Sequence, residues 1–210
     1  MRRIYFYKLT TDNNGAPCVQ DGLLSLAICK PMIRRTAAPG DLIFGFAAGS
    51  LHPDHKLLYV ARITEKVRKG DYYVAKRFSH RGDCIYERRG SRFVQRPDAL
   101  HHHHPDDLAR DLGQYPDYPK ADVLLSRDFR YFGANGTAEY KSRFPVLKEA
   151  VEGLGRGERV WHDQRLRNEL LALKLQIWKQ SPQKIAGEPT SAPRRGKCHR
   201  SKSCGILGDI

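Results

Sequence analysis

The stretch PGDLIFGFAAG, residues 39–49, and the run KLLYVARITEKV, residues 56–67, decide how this chain is read. Both hold apolar residues over the length of a strand, and the Pro-Gly-Asp before the first is a turn in which Asp41 is placed to bond backbone amides. In the second run Leu57, Tyr59, Ala61 and Ile63 alternate with Leu58, Val60 and Arg62, so it is apolar on both sides. That pattern predicts a central strand.

Working outward, RRIYFYKLT (residues 2–10) reads as a first strand. Its basic-then-apolar start resembles a signal peptide, but the apolar part is short and broken by Lys8. NNGAP ends it. GLLSLAIC (residues 22–29) is a second apolar run, and Pro31 opens a short helix that Pro39 and Gly40 must end. Downstream, DCIYERRGSRFVQRP predicts a hairpin turning at Arg89, Gly90 and Ser91. Residues 97–120 form a long loop rich in Pro, Gly, His and Asp, of the kind that is functional or disordered. ADVLLSRDFRYFG restores strand character.

The last third changes period. Phe144, Leu147, Val151 and Leu154 mark one helix behind Pro145, closed by Gly153, Gly155 and Gly157. A second helix spans about residues 162–180, capped by Asp163, with Leu166, Leu170, Leu173 and Ile177 in one stripe. Leu171, Leu175 and Trp178 widen that stripe and predict a substantially buried helix. Residues 1–180 therefore read as one α+β domain. The basic tail of residues 181–210 lacks any period and is expected to be disordered.

The 210 residues carry 37 Lys and Arg against 23 Asp and Glu, a net charge of +14. The tail supplies +4, so the domain keeps +10 and is basic in its own right. Such a surface suits a polyanionic partner, or simply keeps the protein in solution. No run approaches the roughly 18 apolar residues that span a bilayer. Five scattered cysteines without a C-x-x-C motif point away from a disulfide framework and toward reduced thiols in a cytoplasmic setting. Oligomeric state is not legible.

Several phrases in register carry a resemblance: LAICKPMIRRTAAPGDLIFG, LLYVARITE, DCIYER, the histidine cluster at residues 101–104, and DVLLSRDFRYFG. In that order the chain resembles the nucleotide modification associated domain 2 family over about residues 3–178. The resemblance implies a bacterial or phage setting of base modification, without a defined reaction. PGDLIFG followed by KLLYVARITE is also similar to PUA-like barrels, including EVE-type domains. That similarity implies a mixed β-barrel or strongly curved sheet with C-terminal helices packed on it, and a pocket for a base.

Candidate site residues follow. His101, His102, His103 and His104 could line a pocket, supply an acid and a base, or form a solvated loop. In an extended segment only alternate members share a face. No H-E-x-x-H or paired-cysteine pattern accompanies them, so neither metal nor cofactor is expected. In SRDFRYFG, Ser126, Asp128 and Phe132 lie on one face and Tyr131 on the other, interleaved with arginines as base stacking beside phosphate requires; a core-packed strand has the same pattern. Tyr86 could stack at a pocket rim. Lys30, Arg34 and Arg35 are candidates for phosphate contacts, or an ordinary solvated face. CHRSKSC near the end lacks further ligands.

These observations favour a domain that binds a nucleotide or extruded base, with nucleic acid or nucleotide as partner and no membrane. An enzyme, transferase or hydrolase, working on modified bases through a His/Asp site is the alternative. A docking subunit is the third reading.

Overall fold

The computed structural model describes residues 2–155 and 157–191. Chain order runs β1 (Ile4–Leu9), β2 (Cys18–Gln20), β3 (Leu23–Leu26), α1 (Pro31–Thr36), β4 (Leu42–Ala47), β5 (Leu57–Arg62), β6 (Glu65–Val67), α2 (Asp71–Val74), β7 (Tyr86–Arg89) and β8 (Arg92–Gln95). There follow α3 (Asp107–Leu112), β9 (Val123–Ser126), β10 (Asp128–Tyr131), α4 (Tyr140–Arg143), α5 (Pro145–Glu152), β11 (Glu158–Arg159) and α6 (Gln164–Gln180).

A five-stranded sheet has the order β10-β5-β4-β1-β11, and a four-stranded sheet the order β2-β3-β9-β6. Among the named strands of the described residues only β1 and β4 pair in parallel, which forces the crossover through β2, β3 and α1. Strand β5 lies between β4 and β10, as its two apolar faces predict. The two sheets are handed one to the other along a single strand pair, since β5 runs on into β6 while β9 runs on into β10. Arg62 faces Asp128, then the Thr64 amide donates to the Leu125 carbonyl at 2.9 Å, and Glu65 faces Leu125.

The mixed α+β class expected from sequence is present, but the PUA-like barrel is corrected: among the described residues no sheet closes. The reason is strand pairing. Both edges of β1 are taken, one by β4 and one by β11, so the β2–β3 hairpin turns to β9 instead.

Alternation along β1 distributes the core. Ile4 and Phe6, with Phe44, Phe46 and Val60, meet Leu147, Val151, Leu166, Leu170, Leu173 and Ile177 of α5 and α6 on one face of the large sheet. Tyr5, Tyr7 and Leu9 face the other way and pack with Leu24, Leu26, Ile33, Leu124 and Phe129 between the sheets. A third cluster, including Tyr72, Tyr73, Ile85, Tyr86, Phe93, Leu112 and Tyr118, seats the β7–β8 hairpin and α3 against Leu23, Val123 and Leu125 of the small sheet. Gly45 is needed where it stands, because a Cβ there would meet the Tyr59 ring at 2.1 Å.

Asp163 caps α6 by accepting from the Leu166 amide at 2.8 Å. The wider apolar stripe holds only at Trp178, which packs half-buried on this cluster; Leu171 and Leu175 are 37% and 66% exposed, since they fall off the Leu166–Ile177 row. The long loop contains α3. The expected disorder from residue 181 is also corrected over residues 184–191. Tyr131 donates to the Lys184 carbonyl and receives from the Ala186 amide, each at 2.8 Å, and the Ala134 amide donates to Glu188 at 2.8 Å. The amide and hydroxyl of Thr190 donate to the Asp12 carboxylate. These are backbone and polar attachments, which leave no apolar period to read. The remaining tail, with CHRSKSC, lies outside the described residues. No helix among the described residues is long and apolar enough to cross a membrane.

Candidate functional site

A cleft of about 1060 Å³ opens at the end of β1. Its walls are the loop after β1 (Thr10, Asn13, Gly15), the β3–α1 turn (Cys29, Lys30), Ala48–Ser50 after β4, the loop carrying His101, His102 and His103, and Leu154 with Gly155.

The β3–α1 turn is strained. Cys29 and Lys30 have φ of 57° and 40°, a left-handed conformation that costs a non-glycine residue on the order of 1 to 3 kcal/mol. Pro31 contributes, because the residue before a proline is pushed away from the right-handed helical region. The turn is held by what surrounds it. The Cys29 amide donates to Asp111 Oδ1 at 2.8 Å, and its carbonyl accepts from Arg34 Nε at 2.7 Å. Arg34 is fully buried and also donates to the carbonyls of Lys120, Asp122 and Asp111 at 2.7–2.8 Å. It was a candidate for phosphate contacts; instead its guanidinium clamps three chain segments. Arg35 is exposed on α1 and outside the cleft wall.

The histidine loop is not extended. His102 has φ of 58°, so strict alternation fails and His101, His102 and His103 all reach the cleft. His104 turns outward, where its ring accepts from the Asp106 amide at 3.2 Å. Gln95 Nε2 donates to the His101 carbonyl at 3.0 Å and also to that of His102, fixing the loop to β8.

This arrangement brings Cys29 Sγ to 3.3 Å from His102 Nε2, while His102 Nδ1 lies 2.6 Å from Asp111 Oδ2. Asp111 is buried on α3, and its Oδ2 also accepts from the Tyr86 hydroxyl at 2.8 Å. A thiol, an imidazole and a carboxylate in that succession can serve as nucleophile, proton carrier and orienting group in covalent catalysis. Burial alone would lower the pKa of His102. The hydrogen bonds from Asp111 and Cys29, with their charges, outweigh it and raise the value to about 10. His102 therefore holds a proton at neutral pH, as an imidazolium beside sulfur. His101 goes the other way: burial, then its neighbours His102 and His103, lower its pKa and keep the ring neutral.

Lys30 Nζ sits 4.5 Å from the Tyr7 ring centroid, and burial lowers its pKa. No carboxylate is within ion-pair distance of it among the described residues. Beneath, the Tyr59 hydroxyl donates to that of Tyr7 at 2.8 Å, in the space Gly45 leaves. Among the described residues no group of three or more His, Cys, Asp or Glu is placed to hold a metal.

A model of the nucleotide modification associated domain 2 matches residues 1–192. The chain belongs to that family. No curated protein and no solved structure matches it. The family description associates the domain with nucleotide modification, which suggests a DNA-modification context.

Within this family member, the remaining candidates lie away from the cleft. Tyr86 is wholly buried in the third cluster, so it supports Asp111 rather than exposing a ring. Ser126 is buried at the sheet junction, its hydroxyl donating to the Arg62 carbonyl at 2.7 Å. Asp128 binds Arg62 at 2.5 Å and accepts from Trp178 Nε1 at 2.9 Å. Tyr131 is buried with its hydroxyl donating to Asp12 at 2.7 Å, and Phe132 packs beneath α4 to α6. Sequence reasoning missed Cys29 and Asp111. The signal for Cys29 was its place at the end of an apolar run, one residue before the Lys-Pro that starts a helix.

Proposed function

We propose that the protein is a cysteine-dependent enzyme that acts on an acyl or amide group carried by a nucleotide or base, in a DNA-modification setting. Cys29 is the nucleophile, His102 the proton carrier, and Asp111 the group that orients His102. The single observation carrying this reading is the Sγ–Nε2 and Nδ1–Oδ2 succession of 3.3 and 2.6 Å on the wall of the cleft.

In the first step the thiol proton resides on His102 and sulfur attacks the carbonyl carbon, forming a C–S bond as the C=O electron pair moves to oxygen. The pair returns, the C–N or C–O bond breaks, and His102 gives its proton to the leaving atom. A water or an amine then attacks the thioester, losing its proton to His102, and sulfur leaves as thiolate. Asp111 holds Nδ1 of His102 so that Nε2 faces sulfur throughout. The neutral ring of His101, pressed against Gly15 on the cleft wall, is placed to hydrogen-bond the substrate.

One observation favours a purely binding role: the half-buried Lys30 ammonium, with no carboxylate at ion-pair distance among the described residues, suits a phosphate. Intact-mass spectrometry after incubation with acylated and amide-bearing nucleotides separates the two. A thioester adduct confined to Cys29, absent in Cys29→Ala and removed by hydroxylamine, is expected. Tight nucleotide binding with no adduct from any member of the panel would leave the binding role instead.

A further inference from the structure

The cleft is lined by one sign of charge. Lys8, Lys30 and the protonated His102 stand on its walls, and among the described residues that line it there is no aspartate or glutamate. Asp111, behind the histidine loop, answers the charge of His102. Lys8 points to the opposite face of β1 from Tyr7 and gives its ammonium to the Glu152 carbonyl at 3.3 Å. Lys30 is left with the Tyr7 ring, 4.5 Å from its centroid. Glu158, opposite Tyr7 in the β1–β11 register, attracts that ammonium from beyond ion-pair distance.

A half-buried cation without a bonded anion is costly, because burial removes the water that solvates it, and a ring face offsets only about 0.5 to 2 kcal/mol of that. A phosphate supplies the missing charge, and a lysine meets it as a compact point charge. At about 1060 Å³ the cleft has room for base, sugar and phosphate together, since ligand pockets commonly span roughly 300 to 1000 Å³. Ile28, Leu100 and Leu154 give it apolar wall for a base. Cys29 and Lys30 are consecutive, so a ligand that meets both carries its acyl group and its phosphate within the length of a single nucleotide unit. We infer that the cleft selects its substrate by a phosphate held on Lys30, so that the unit it accepts is a nucleotide and not a free base or nucleoside. The inference rests on the cleft being the substrate site, and deepens that reading by naming the substrate class. A free nucleotide carries this phosphate as a monoester and a strand carries it as a diester, with the same contact to the ammonium.

Isothermal titration calorimetry with the deoxynucleosides, their 5′-monophosphates and the matching dinucleoside monophosphates tests it. At least one phosphate-bearing ligand should bind about tenfold to a hundredfold more tightly than its nucleoside, the equivalent of one charge-assisted hydrogen bond. Tighter binding of the 5′-monophosphate marks a free nucleotide as the source of the phosphate, and tighter binding of the dinucleoside monophosphate marks a strand. Lys30→Ala should erase the difference and leave nucleoside affinity unchanged, whereas Lys30→Arg should keep most of it. A thermal melt accompanies each variant, and the wild-type comparison needs neither. These ligands carry no acyl group and the readout is equilibrium binding, so a missing thioester adduct at Cys29 leaves this result standing. Nucleosides that bind as tightly as their phosphates, no binding by any ligand, equal competition by a diglutamate peptide, or a loss that follows Lys8→Ala and not Lys30→Ala would overturn the inference.

Discussion

The hydroxyl of Tyr86 donates to Asp111 Oδ2 at 2.8 Å, on the same oxygen that faces His102 Nδ1 at 2.6 Å. A tyrosine deep in the third cluster thereby helps set the direction of an imidazole at the cleft. Tyr86→Phe keeps the ring packing and removes one donor. Its expected cost is about 0.5 to 1.5 kcal/mol in denaturant melts, together with slower alkylation of Cys29 by iodoacetamide. Slower alkylation with unchanged stability would still fit the orienting role; unchanged alkylation would not.

His102 supplies a pH dependence. Its folded pKa of about 10 stands above the ordinary 6.5, so the stability it lends is full below about pH 6.5 and is lost as pH rises through about 10. Melting temperatures of wild-type protein should fall between pH 7 and 10 more steeply than those of His102→Gln. Parallel curves for the two proteins would remove His102 from the account.

Asp111→Asn should lower that raised value, because the bonded carboxylate, together with Cys29, offsets burial. Alkylation of Cys29 at pH 7 is then expected to slow on the order of tenfold, since the imidazolium beside sulfur is lost. Mass mapping that finds the same rate at Cys29 in both proteins would contradict the succession proposed for the site.

Arg34→Met removes a buried charge that serves four carbonyls and stands 3.9 Å from Asp111 Oδ1. The loss should be large, about 3 to 5 kcal/mol, as for other buried charges stripped of their partner. A urea midpoint close to wild type would show that the clamp is dispensable.

Truncation after Ser181 removes the residues that bond Tyr131, Ala134 and Asp12, and should lower the melting temperature by several degrees. Thr190→Val, which takes away the hydroxyl partner of Asp12, should produce a smaller part of that fall. An unchanged melt after truncation would mean that these attachments add nothing.

Most of the large sheet is legible from apolar runs of strand length, because β4 is buried at all six positions and β1 and β5 at five of six. The barrel expectation failed for a reason that alternation cannot express, namely which strand edge meets which. The candidate site was half legible. The histidines announced themselves by repetition, but their geometry depends on one left-handed residue, His102, that no periodicity foretells. Cys29 and Asp111 are separated by 82 residues, and the bond that joins them is a tertiary fact. Tyr86 and Tyr131 in their strands, and Arg34 on its short helix, read the same in a sequence pattern whether they face solvent or the core; burial alone tells the two apart.

Asp12 receives Tyr131 and Thr190, and its neighbour Asn13 lines the cleft. A wall built near the beginning of the chain is thus buttressed by residues almost 180 positions later. The outer edge of β1 is closed in the same way from far along the chain, Phe6 facing Arg159 and Tyr7 facing Glu158 of β11. This wall of the cleft is therefore made of contacts between segments far apart in sequence, which must wait for long loops to close, whereas Cys29 is held by its own bonds to Asp111 and Arg34.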